Sequence, residues 1–505
     1  MTVGRLDMFS ASRVCRTMQL SGWVAVGTVA ILILAVGACR KDGPPDPATP
    51  APKPKAQPNI VFIFADDLRF DFLGCTGHPF VQTPHLDRLA REGALFENAF
   101  VITSLCGPSR ATVMTGMYTH LTGVHYNRAD MDYDRVTILP QVLKANGYAT
   151  AFMGKWHLAP RGDGALESSH SRPRPGFDRW ICFHDARGHG KYFDCMMNVD
   201  GTLHQTRGYV TDVLTDYAVE WIKNQRTPFF LMVSLKNCHM PLKAPPRHER
   251  LYTDESVRIP VSLSDDPALL PRAIPGGATR RIDNLFAEID SGPVDAEAVR
   301  ILHRKYARNV PSIDDCAGSI REALDQAGIT DDTVIIFSSD NGFLIGEHGL
   351  MRKGLAFDPS IRVPLIIRYP PLVRPAVRIA QQVLNLDLAP TILSLAGIEL
   401  PETMTGRSLI PLLSGQPVDW RDDWLFIAHY SEAPPLFLAV RSAELKYIRY
   451  LRPGIEEQLF DLRSDPDERN NLAHDADSAA LIEQMRDRMK QLMKQFEVNP
   501  SWFNE

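Results

Sequence analysis

The chain has 505 residues, enough for one large domain with an appendage or for two to four domains of usual size. Its composition, 44% hydrophobic, 9% aromatic and 23% charged, is typical of a folded globular protein and excludes a disordered, collagen-like or coiled-coil chain. Lys and Arg number 55 against 60 Asp and Glu, so the net charge of −5 provides no overall positive field for a nucleic-acid partner. The 8 cysteines include no C-x-x-C pair, which argues against a zinc ribbon or a disulfide scaffold.

Residues 1–39 have the pattern of a lipoprotein-type signal peptide. Arg13 and Arg16 precede an apolar run, residues 23–36, that is shorter than the roughly 20 residues of a membrane-spanning helix. Small residues then lead to Cys39, which resembles the bacterial lipobox, whose cysteine carries the lipid. We therefore expect an exported chain, in the periplasm or at the cell surface, attached to a membrane through Cys39. An ordinary secretory peptide and an uncleaved anchor are the alternatives.

The segment that follows predicts a tether. Residues 40–58 contain seven prolines and no apolar periodicity, which is typical of a semi-rigid extended linker. Folding is therefore expected to begin at Asn59. A change in sequence texture near residue 401 divides the remainder into a main domain, residues 59–400, and a smaller C-terminal subdomain, residues 401–505.

The main domain has the pattern of an α/β fold. Short, continuous apolar runs are typical of strands buried on both faces, and they occur at residues 60–65, 148–153, 229–235, 334–337 and 365–368. Helical patterns separate these runs. One is framed by Thr83, Pro84 and Gly93, and a longer one is interrupted at Pro311, where we expect a kink or a new start. The alternation predicts a large, mostly parallel or mixed sheet sandwiched by helices.

The C-terminal subdomain has a different pattern. The sequences AVRSAELKYIRYL and EEQLFDL predict antiparallel strands. A helix follows whose apolar positions share one face: Leu481, Met485, Met489, Leu492 and Phe496. Residues 254–295 are rich in Pro, Asp and Gly, and we expect them to form an insertion near the functional site.

Polar side chains follow the predicted strands of the main domain. They are Asp66, Asp67, Lys155, His157, His239, Asp340 and Asn341. Ligands of open α/β sheets bind outside the carboxyl ends of the strands, so we expect these groups to converge. Three carboxylates and an amide oxygen suit a hard dication such as Ca²⁺ or Mg²⁺. Helix capping or turn formation is the alternative for either acidic pair taken alone.

A second signal surrounds Cys106 in the sequence SLCGPSRATVMTG. Pro108 fits the first turn of a helix, which places Cys106 at a helix N-terminus, where the macrodipole favours negative charge. The residues alone indicate an activated cysteine or an anion site. A buried cysteine acting as a small hydrophobe is the plainer alternative.

The pattern C-x-P-S-R followed by M-T-G resembles the signature of the type I sulfatases of the alkaline-phosphatase superfamily. The blocks NIVFIFADD, GKWH, SSDNGFLIGEHGLMRKG and SIRVPLIIRYP resemble further blocks of that family in the same order, across residues 59–412. The sequence LFDLRSDPDERNNLA resembles its terminal subdomain. Two departures are Met117, where a basic residue is frequent, and Phe357 with Asp358, where an aromatic residue and Glu are common.

The resemblance implies a sulfuric ester hydrolase in which Cys106 is converted to formylglycine by a maturation enzyme. It implies a Ca²⁺ or Mg²⁺ site formed by Asp66, Asp67, Asp340 and Asn341 together with the modified Cys106. It implies that Arg110 and Lys155 bind the formylglycine diol and the charge of the sulfate. It also implies that His157 acts as the base and that His239 and Lys353 contact the leaving oxygen. The alternatives are a phosphonate or phosphate ester hydrolase of the same superfamily and a glycan-binding lipoprotein without catalysis.

The substrate expectation rests on two further segments. The sequences RPRPGFDRWICFHDARGHGKYFDCMMNVDG and HMPLKAPPRHERLYTD resemble sulfatases acting on N-acetylglucosamine 6-sulfate, including mucin-desulfating and glycosaminoglycan enzymes. Within the first, a basic loop with two aromatic residues has a composition suited to binding a sulfated sugar: Trp180, His184, Arg187, His189, Lys191 and Tyr192. A solvated surface loop is the alternative.

Overall fold

The computed structural model describes residues 57–158, 176–184, 189–226, 228–266, 270, 278–279, 281–282, 292–429, 437–451 and 456–501. The predicted signal peptide with Cys39, nearly all of the predicted tether, Arg187 and much of the predicted insertion lie outside these residues. Within them, no helix has both the length and the apolar character needed to cross a membrane.

The strands are β1 Asn59–Ala65, β2 Ala94–Phe100, β3 Ala149–Gly154, β4 Arg179–Phe183, β5 Met196–Val199, β6 Thr202–Gln205, β7 Phe229–Ser234, β8 Arg281–Ile282, β9 Gly292–Pro293, β10 Thr333–Ser339, β11 Leu344–Ile345, β12 Met351–Arg352, β13 Arg362–Arg368, β14 Val377–Leu384, β15 Asp423–Ala428, β16 Phe437–Ser442, β17 Leu445–Tyr450 and β18 Glu456–Asp461. The α-helices are α1 Pro84–Glu92, α2 Cys106–Thr115, α3 Thr119–Thr122, α4 Leu139–Ala145, α5 Val210–Lys223, α6 Ala296–Ala307, α7 Val310–Gln326, α8 Asp358–Ile361, α9 Leu388–Leu395, α10 Ile410–Leu413 and α11 Ala479–Gln495.

The main sheet has 10 strands in the order β14-β2-β13-β10-β1-β7-β3-β4-β5-β6. Its centre, from β10 to β4, is parallel, and antiparallel pairs flank it on both sides. Alternate residues of β1 pack into two cores on opposite faces, Ile60 and Phe62 into one and Val61 and Ile63 into the other. Burial on both faces explains the continuous apolar runs, and the predicted α/β fold is confirmed.

Sequence signals for helix ends correctly predicted the bounds of helix α1 and the start of a new helix at Pro311. Helix α1 begins at Pro84, after Thr83, and Gly93 follows its last residue. The long helical pattern divides into α6 and α7, and Pro311 lies in the first turn of α7, where its missing N–H costs no helical hydrogen bond. The prediction of a new start at Pro311 is therefore confirmed.

A second, separate sheet of four antiparallel strands, β15-β16-β17-β18, carries helix α11. The antiparallel strands and the amphipathic helix are confirmed, although the buried face of α11 is rotated slightly from the prediction. Its buried residues are Ile482, Met485, Met489, Leu492 and Met493, and the predicted Leu481 and Phe496 are only partly buried. The boundary at residue 401 stays a prediction.

A buried charge network joins this sheet to the main domain near Lys353. Lys446 has no exposed surface, and its Nζ donates to Ala356 O at 2.7 Å, Asp358 Oδ1 at 2.6 Å and Glu468 Oε1 at 2.5 Å. Arg441 adds a bidentate pair to Asp358, with Nε to Oδ1 at 3.0 Å and Nη2 to Oδ2 at 2.8 Å. Two cations and two carboxyl groups therefore share one largely buried network, in which burial raises the pKa of Glu468 to about 7. Asp358, at the position of the family's common Glu, is a full member of this network.

We expect Lys446→Met to destabilise the protein by about 3 to 5 kcal/mol, because it leaves the buried carboxylate of Glu468 without its cation. Thermal or urea unfolding measures this loss. Lys490→Met is the matched control, since Lys490 is exposed and pairs with an exposed aspartate, and we expect a change below about 0.5 kcal/mol. Equal stability of the two variants would show that the buried network is not needed.

Candidate active site

Polar residues lie after the carboxyl ends of four parallel strands that are neighbours in the sheet, in the order β10-β1-β7-β3. Asp340 and Asn341 follow β10, the pair Asp66 and Asp67 follows β1, and His239 follows β7. Lys155 and His157 follow β3, the next strand. Because these strands are parallel, their carboxyl ends meet at one edge of the sheet. The predicted convergence of the site is thus a consequence of strand order.

The acidic groups and Cys106 form one cluster. Ligand atoms of Asp66, Asp67, Cys106 and Asp340 all lie within 4.8 Å of one another, and the four residues are buried. Cys106 Sγ lies 3.4 Å from Asp66 Oδ1 and 3.7 Å from Asp67 Oδ1. The backbone N–H of Asp67 donates to Asp340 Oδ1 at 3.0 Å, and Asn341 Nδ2 donates to Asp67 Oδ1 at 2.7 Å. All five predicted metal-ligating residues are therefore in one place.

Three cations surround the cluster. Lys155 Nζ lies 2.6 Å from Asp66 Oδ2, and Arg110 Nε donates to Asp340 Oδ2 at 2.9 Å. Lys353 Nζ pairs with an oxygen of Asp67 and lies 2.7 Å from Cys106 Sγ. Three cationic side chains thus match three carboxylates.

Burial and charge act against each other on these groups. Burial favours neutral Asp66, but the neighbouring basic groups, Lys155 first and then His239, Arg110 and Lys353, together outweigh it and hold the pKa of that carboxyl well below its usual range. For Asp340, burial and the neighbouring Asp66 charge raise the pKa to about 6. The cluster therefore holds its third negative charge weakly without further positive charge. A hard dication bound by oxygens would supply that charge, so the residues fit Ca²⁺ or Mg²⁺.

Helix α2 begins at Cys106, as predicted, with Leu105 at the N-cap position. Burial nevertheless raises the pKa of the Cys106 thiol, and the ammonium groups of Lys155 and Lys353 oppose this only partly. The alternative of a cysteine activated as a thiolate is therefore not supported, since the unmodified side chain stays a neutral thiol at pH 7.

The histidines stand beside the charged cluster. His157 is buried, with a left-handed φ of +60°, and Asp67 has a φ of +63°, values uncommon outside glycine. His239 Nδ1 lies 2.6 Å from Met240 O, so this nitrogen carries the proton and Nε2 keeps its lone pair. Burial lowers the pKa of His157 well below its usual range and that of His239 to about 3. Both imidazoles are neutral at pH 7.

Part of the predicted sugar-binding loop is corrected by the structure. Trp180 has no exposed surface and stacks on Phe152 inside the core, so it does not cover the face of a sugar. Tyr192 is also buried, and its hydroxyl lies 3.2 Å from Lys236 O. Trp180 lies on β4, which is buried on both faces, and Tyr192 lies between β4 and β5, where it packs into a core cluster. Lys191 is exposed and His184 is half-buried.

Two residues of the site were missed by sequence reasoning. Ser234 Oγ accepts from Arg110 Nη1 at 2.6 Å and donates to Lys155 O at 2.7 Å. Asn127 Oδ1 accepts from the backbone N–H of Gly107 at 3.0 Å, in the first turn of α2. Ser234 ends strand β7 at the same edge as the other groups, so its position was a usable signal. Asn127 carries no such signal.

Comparison with known proteins agrees with this geometry. The sulfatase family matches residues 58–398, and the C-terminal part of the N-sulphoglucosamine sulphohydrolases matches residues 346–495. The chain is 29% identical to an N-acetylglucosamine-6-O-sulfatase of Bacteroides thetaiotaomicron, over 90% of this chain and 89% of that protein. It is 31% identical to a choline-sulfatase of Rhizobium meliloti, over 83% of this chain and 82% of that protein.

Solved structures show the same architecture. One, a complex with its substrate D-glucosamine-2-N,6-O-disulfate, has a TM-score of 0.76 and 27% identity, covering 89% of this chain and 100% of that chain. Another, a phosphonate monoester hydrolase of Agrobacterium radiobacter, has a TM-score of 0.72 and 26% identity, covering 87% and 96%. The family match spans well over half of the chain and includes the whole cluster. The chain therefore belongs to the sulfatase family of the alkaline-phosphatase superfamily and is a sulfuric ester hydrolase.

Proposed function

We propose that the chain removes the 6-sulfate from N-acetylglucosamine 6-sulfate in glycosaminoglycan or mucin-type glycans, using formylglycine formed from Cys106 and a bound Ca²⁺. The observation that carries the catalytic part is the buried cluster of three carboxylates and Cys106, balanced by Arg110, Lys155 and Lys353. The relative from Bacteroides thetaiotaomicron and the complex with glucosamine disulfate support the sugar.

The proposed metal site consists of Asp66, Asp67, Asp340 and Asn341 with the converted residue 106. A bound Ca²⁺ would add positive charge beside the carboxylate of Asp340 and would polarise the sulfate oxygens. Mg²⁺ has the same preference for oxygen and is the alternative ion. Conversion of Cys106 to formylglycine would supply a hydrated aldehyde, whose hydroxyl is the nucleophile that the neutral thiol is not.

The cationic side chains have a clear task in this reaction. A sulfate ester is an anion and repels nucleophiles, so positive charge must neutralise it as the S–O bond breaks. Arg110 and Lys155 are buried at the cluster, Arg110 held by Asp340, Ser234 and the carbonyl of Lys155, and the Lys155 ammonium by Asp66, so little reorganisation is needed during reaction. Lys353 lies against the Cys106 side chain, where it also meets the charge of the ester.

The histidines move protons. His157 is proposed as the base at residue 106, and its neutral state at pH 7 leaves it able to accept a proton. His239 and Lys353 are proposed to stabilise or protonate the leaving sugar oxygen. An anionic substrate raises the pKa of a neighbouring imidazole, so binding prepares His239 for that role.

The substrate proposal predicts a definite order of rates. With purified, converted enzyme, kcat/KM for N-acetylglucosamine 6-sulfate should exceed those for galactose 6-sulfate, iduronate 2-sulfate and choline sulfate by roughly 10²-fold. Released sulfate is measured by ion chromatography. Equal or faster hydrolysis of choline sulfate is a real alternative, because the choline-sulfatase is 31% identical to this chain. That result would reject the amino-sugar assignment and leave the sulfatase chemistry intact.

The same assay separates sulfate hydrolysis from a phosphonate ester hydrolase and from a binding protein. Faster hydrolysis of an aryl phosphonate than of an aryl sulfate would favour a phosphonate ester hydrolase, the activity named for one structural relative. Sugar binding without turnover by protein whose Cys106 is converted would favour a glycan-binding lipoprotein. The presence of Arg110, Lys155 and Lys353 in contact with the cluster favours catalysis.

We also propose that the chain is exported and lipid-anchored through Cys39, and that a formylglycine-generating enzyme of the host acts on Cys106. The support for the anchor is the basic start, the short apolar run at residues 23–36 and the small residues before Cys39. Anchoring by a proline-rich tether suits a polymeric substrate that is too large to import.

A further inference from the structure

A third histidine contacts the proposed base. His189 follows strand β4, the neighbour of β3 in the sheet. Its Nε2 lies 3.1 Å from Nε2 of His157, and the two ring centroids are 4.2 Å apart with planes at 63°. The ring of His239 lies 5.3 Å from that of His189. Sequence analysis placed His189 among the sugar contacts, but its imidazole is directed at another imidazole.

Two imidazole nitrogens at hydrogen-bond distance share one proton. One nitrogen donates its N–H and the other accepts with its lone pair, because two N–H groups or two lone pairs repel. Burial lowers the pKa of both His157 and His189 well below the usual range, so each ring carries a single proton at pH 7. The contact therefore fixes the tautomers of the two rings relative to each other.

The state of the second ring nitrogen, Nδ1, shows which tautomer of His157 is able to act as a base. Nδ1 of His157 is buried and has no hydrogen-bond partner among the described residues. If His157 donates through Nε2–H, this Nδ1 keeps its lone pair and is able to take a proton. If His157 accepts at Nε2, Nδ1 carries a proton already and has no base function.

The backbone of the His189 segment is held firmly in place. Lys236, which follows strand β7 and is buried, donates from Nζ to His189 O at 2.9 Å. Tyr192, three residues after His189, lies with its hydroxyl 3.2 Å from Lys236 O and hydrogen-bonds to His239 O. Three polar contacts therefore tie this segment to the loop that carries His239. Such support is typical of a group that must hold one orientation.

We propose that His189 is a positioning residue for His157: it accepts the Nε2–H of His157 and keeps the Nδ1 lone pair of that ring free. The inference rests on the proposed role of His157 as base. During turnover His157 takes a proton at Nδ1 and becomes an imidazolium, and His189 stabilises it by continuing to accept Nε2–H. The overall reaction converts ester and water into alcohol, sulfate and one proton, and His157 returns that proton to water.

Two variants of His189 separate this role from others. His189→Leu removes the acceptor, and we expect kcat to fall about 10²-fold with KM changed less than about twofold. His189→Gln keeps an acceptor oxygen and should recover kcat to within about fivefold of the wild type. An aryl sulfate is used as the substrate because it contains no sugar, so a loss of sugar contacts does not change its rate of hydrolysis. His204→Leu, an exposed histidine on β6, is the control and should leave kcat unchanged.

The tautomer itself is measured without turnover. In protein labelled with ¹⁵N-histidine, the His157 signals, assigned through His157→Gln, should show a protonated Nε2 and a bare Nδ1, and His189→Leu should mix the two tautomers. A protonated Nδ1 of His157 in the wild type would overturn the proposal. A His189→Leu variant that raises KM for the sulfated sugar but leaves hydrolysis of the aryl sulfate unchanged would also overturn it. Full turnover by His157→Gln would refute the role of His157 as base, while the tautomer still decides the His189 contact.

Discussion

Cys106→Ala should lose sulfate-ester turnover by about 10⁴-fold or more while the protein stays folded. The expected loss is large because the substitution removes the side chain from which the proposed nucleophile is formed. The fold should persist because the Cys106 side chain lies among charged groups of the site and contributes little to either side of the sheet. Turnover of an aryl sulfate and the melting temperature measure the two effects.

Cys106→Ser tests the chemistry more closely, where only a cysteine-dependent maturation enzyme is present. Serine offers one hydroxyl where a hydrated aldehyde has two, and the second is needed to release sulfate, so this variant should also be inactive. Cys75→Ala, at a half-buried cysteine outside the site, is the control and should keep full turnover. In the wild type, a Cys106 peptide lighter by about 18 Da indicates the aldehyde. Normal turnover by Cys106→Ala would reject the mechanism.

Complete removal of divalent metal should abolish turnover and lower the melting temperature. The carboxylates of Asp66, Asp67 and Asp340 lie close together, and even with three cationic side chains beside them the pKa of Asp340 is raised to about 6, so the cluster is less stable without the charge of the metal. Binding also stabilises the folded state by mass action, by about 2.7 kcal/mol when Ca²⁺ is at 100 times its Kd. Chelation followed by elemental analysis, an aryl sulfate assay and thermal unfolding measures these losses.

Addition of Ca²⁺ should restore both activity and stability. Asp340→Asn is a useful companion variant, because it removes one negative charge and one ligand and should reduce the stabilisation that Ca²⁺ provides. Asp216→Asn, on the outer part of α5, is the matched control and should respond to Ca²⁺ like the wild type. Metal-free protein with full activity would show that the oxygen cluster is not a metal site.

The centre of the fold was predictable because its strands are buried on both faces. Strand β1 reads as a continuous apolar run for that reason, and the acidic pairs after β1 and β10 marked the carboxyl edge. Strands β2, β4, β5, β6 and β14 of the main sheet were missed. Strand β2 carries Glu97 and Asn98, which are partly exposed near the edge of the sheet, so no uninterrupted apolar run marks it. Local hydrophobicity does not identify such strands.

The direction of side chains was the second feature that could not be predicted from the sequence. Trp180 is of a residue type that often binds sugars, but β4 is buried on both faces, so this side chain lies in the core. His189 was recognised as part of a basic loop, yet its partner His157 lies 32 positions away and on another strand's end. Motifs identified which residues matter in the cluster. Contacts between loops depend on the packed sheet, which no local pattern describes.

Pairing of β1 with β10 joins segments that are far apart in the chain, so we expect the site to assemble late in folding. Asn59 lies beside Thr333, 274 positions later in the chain, and contacts of such high sequence separation form slowly. Once they have formed, Cys106 has no exposed surface and is out of reach of any enzyme. The proposed conversion of Cys106 would therefore have to occur on the unfolded chain, and the slow closure of the central sheet would set the time available to a maturation enzyme.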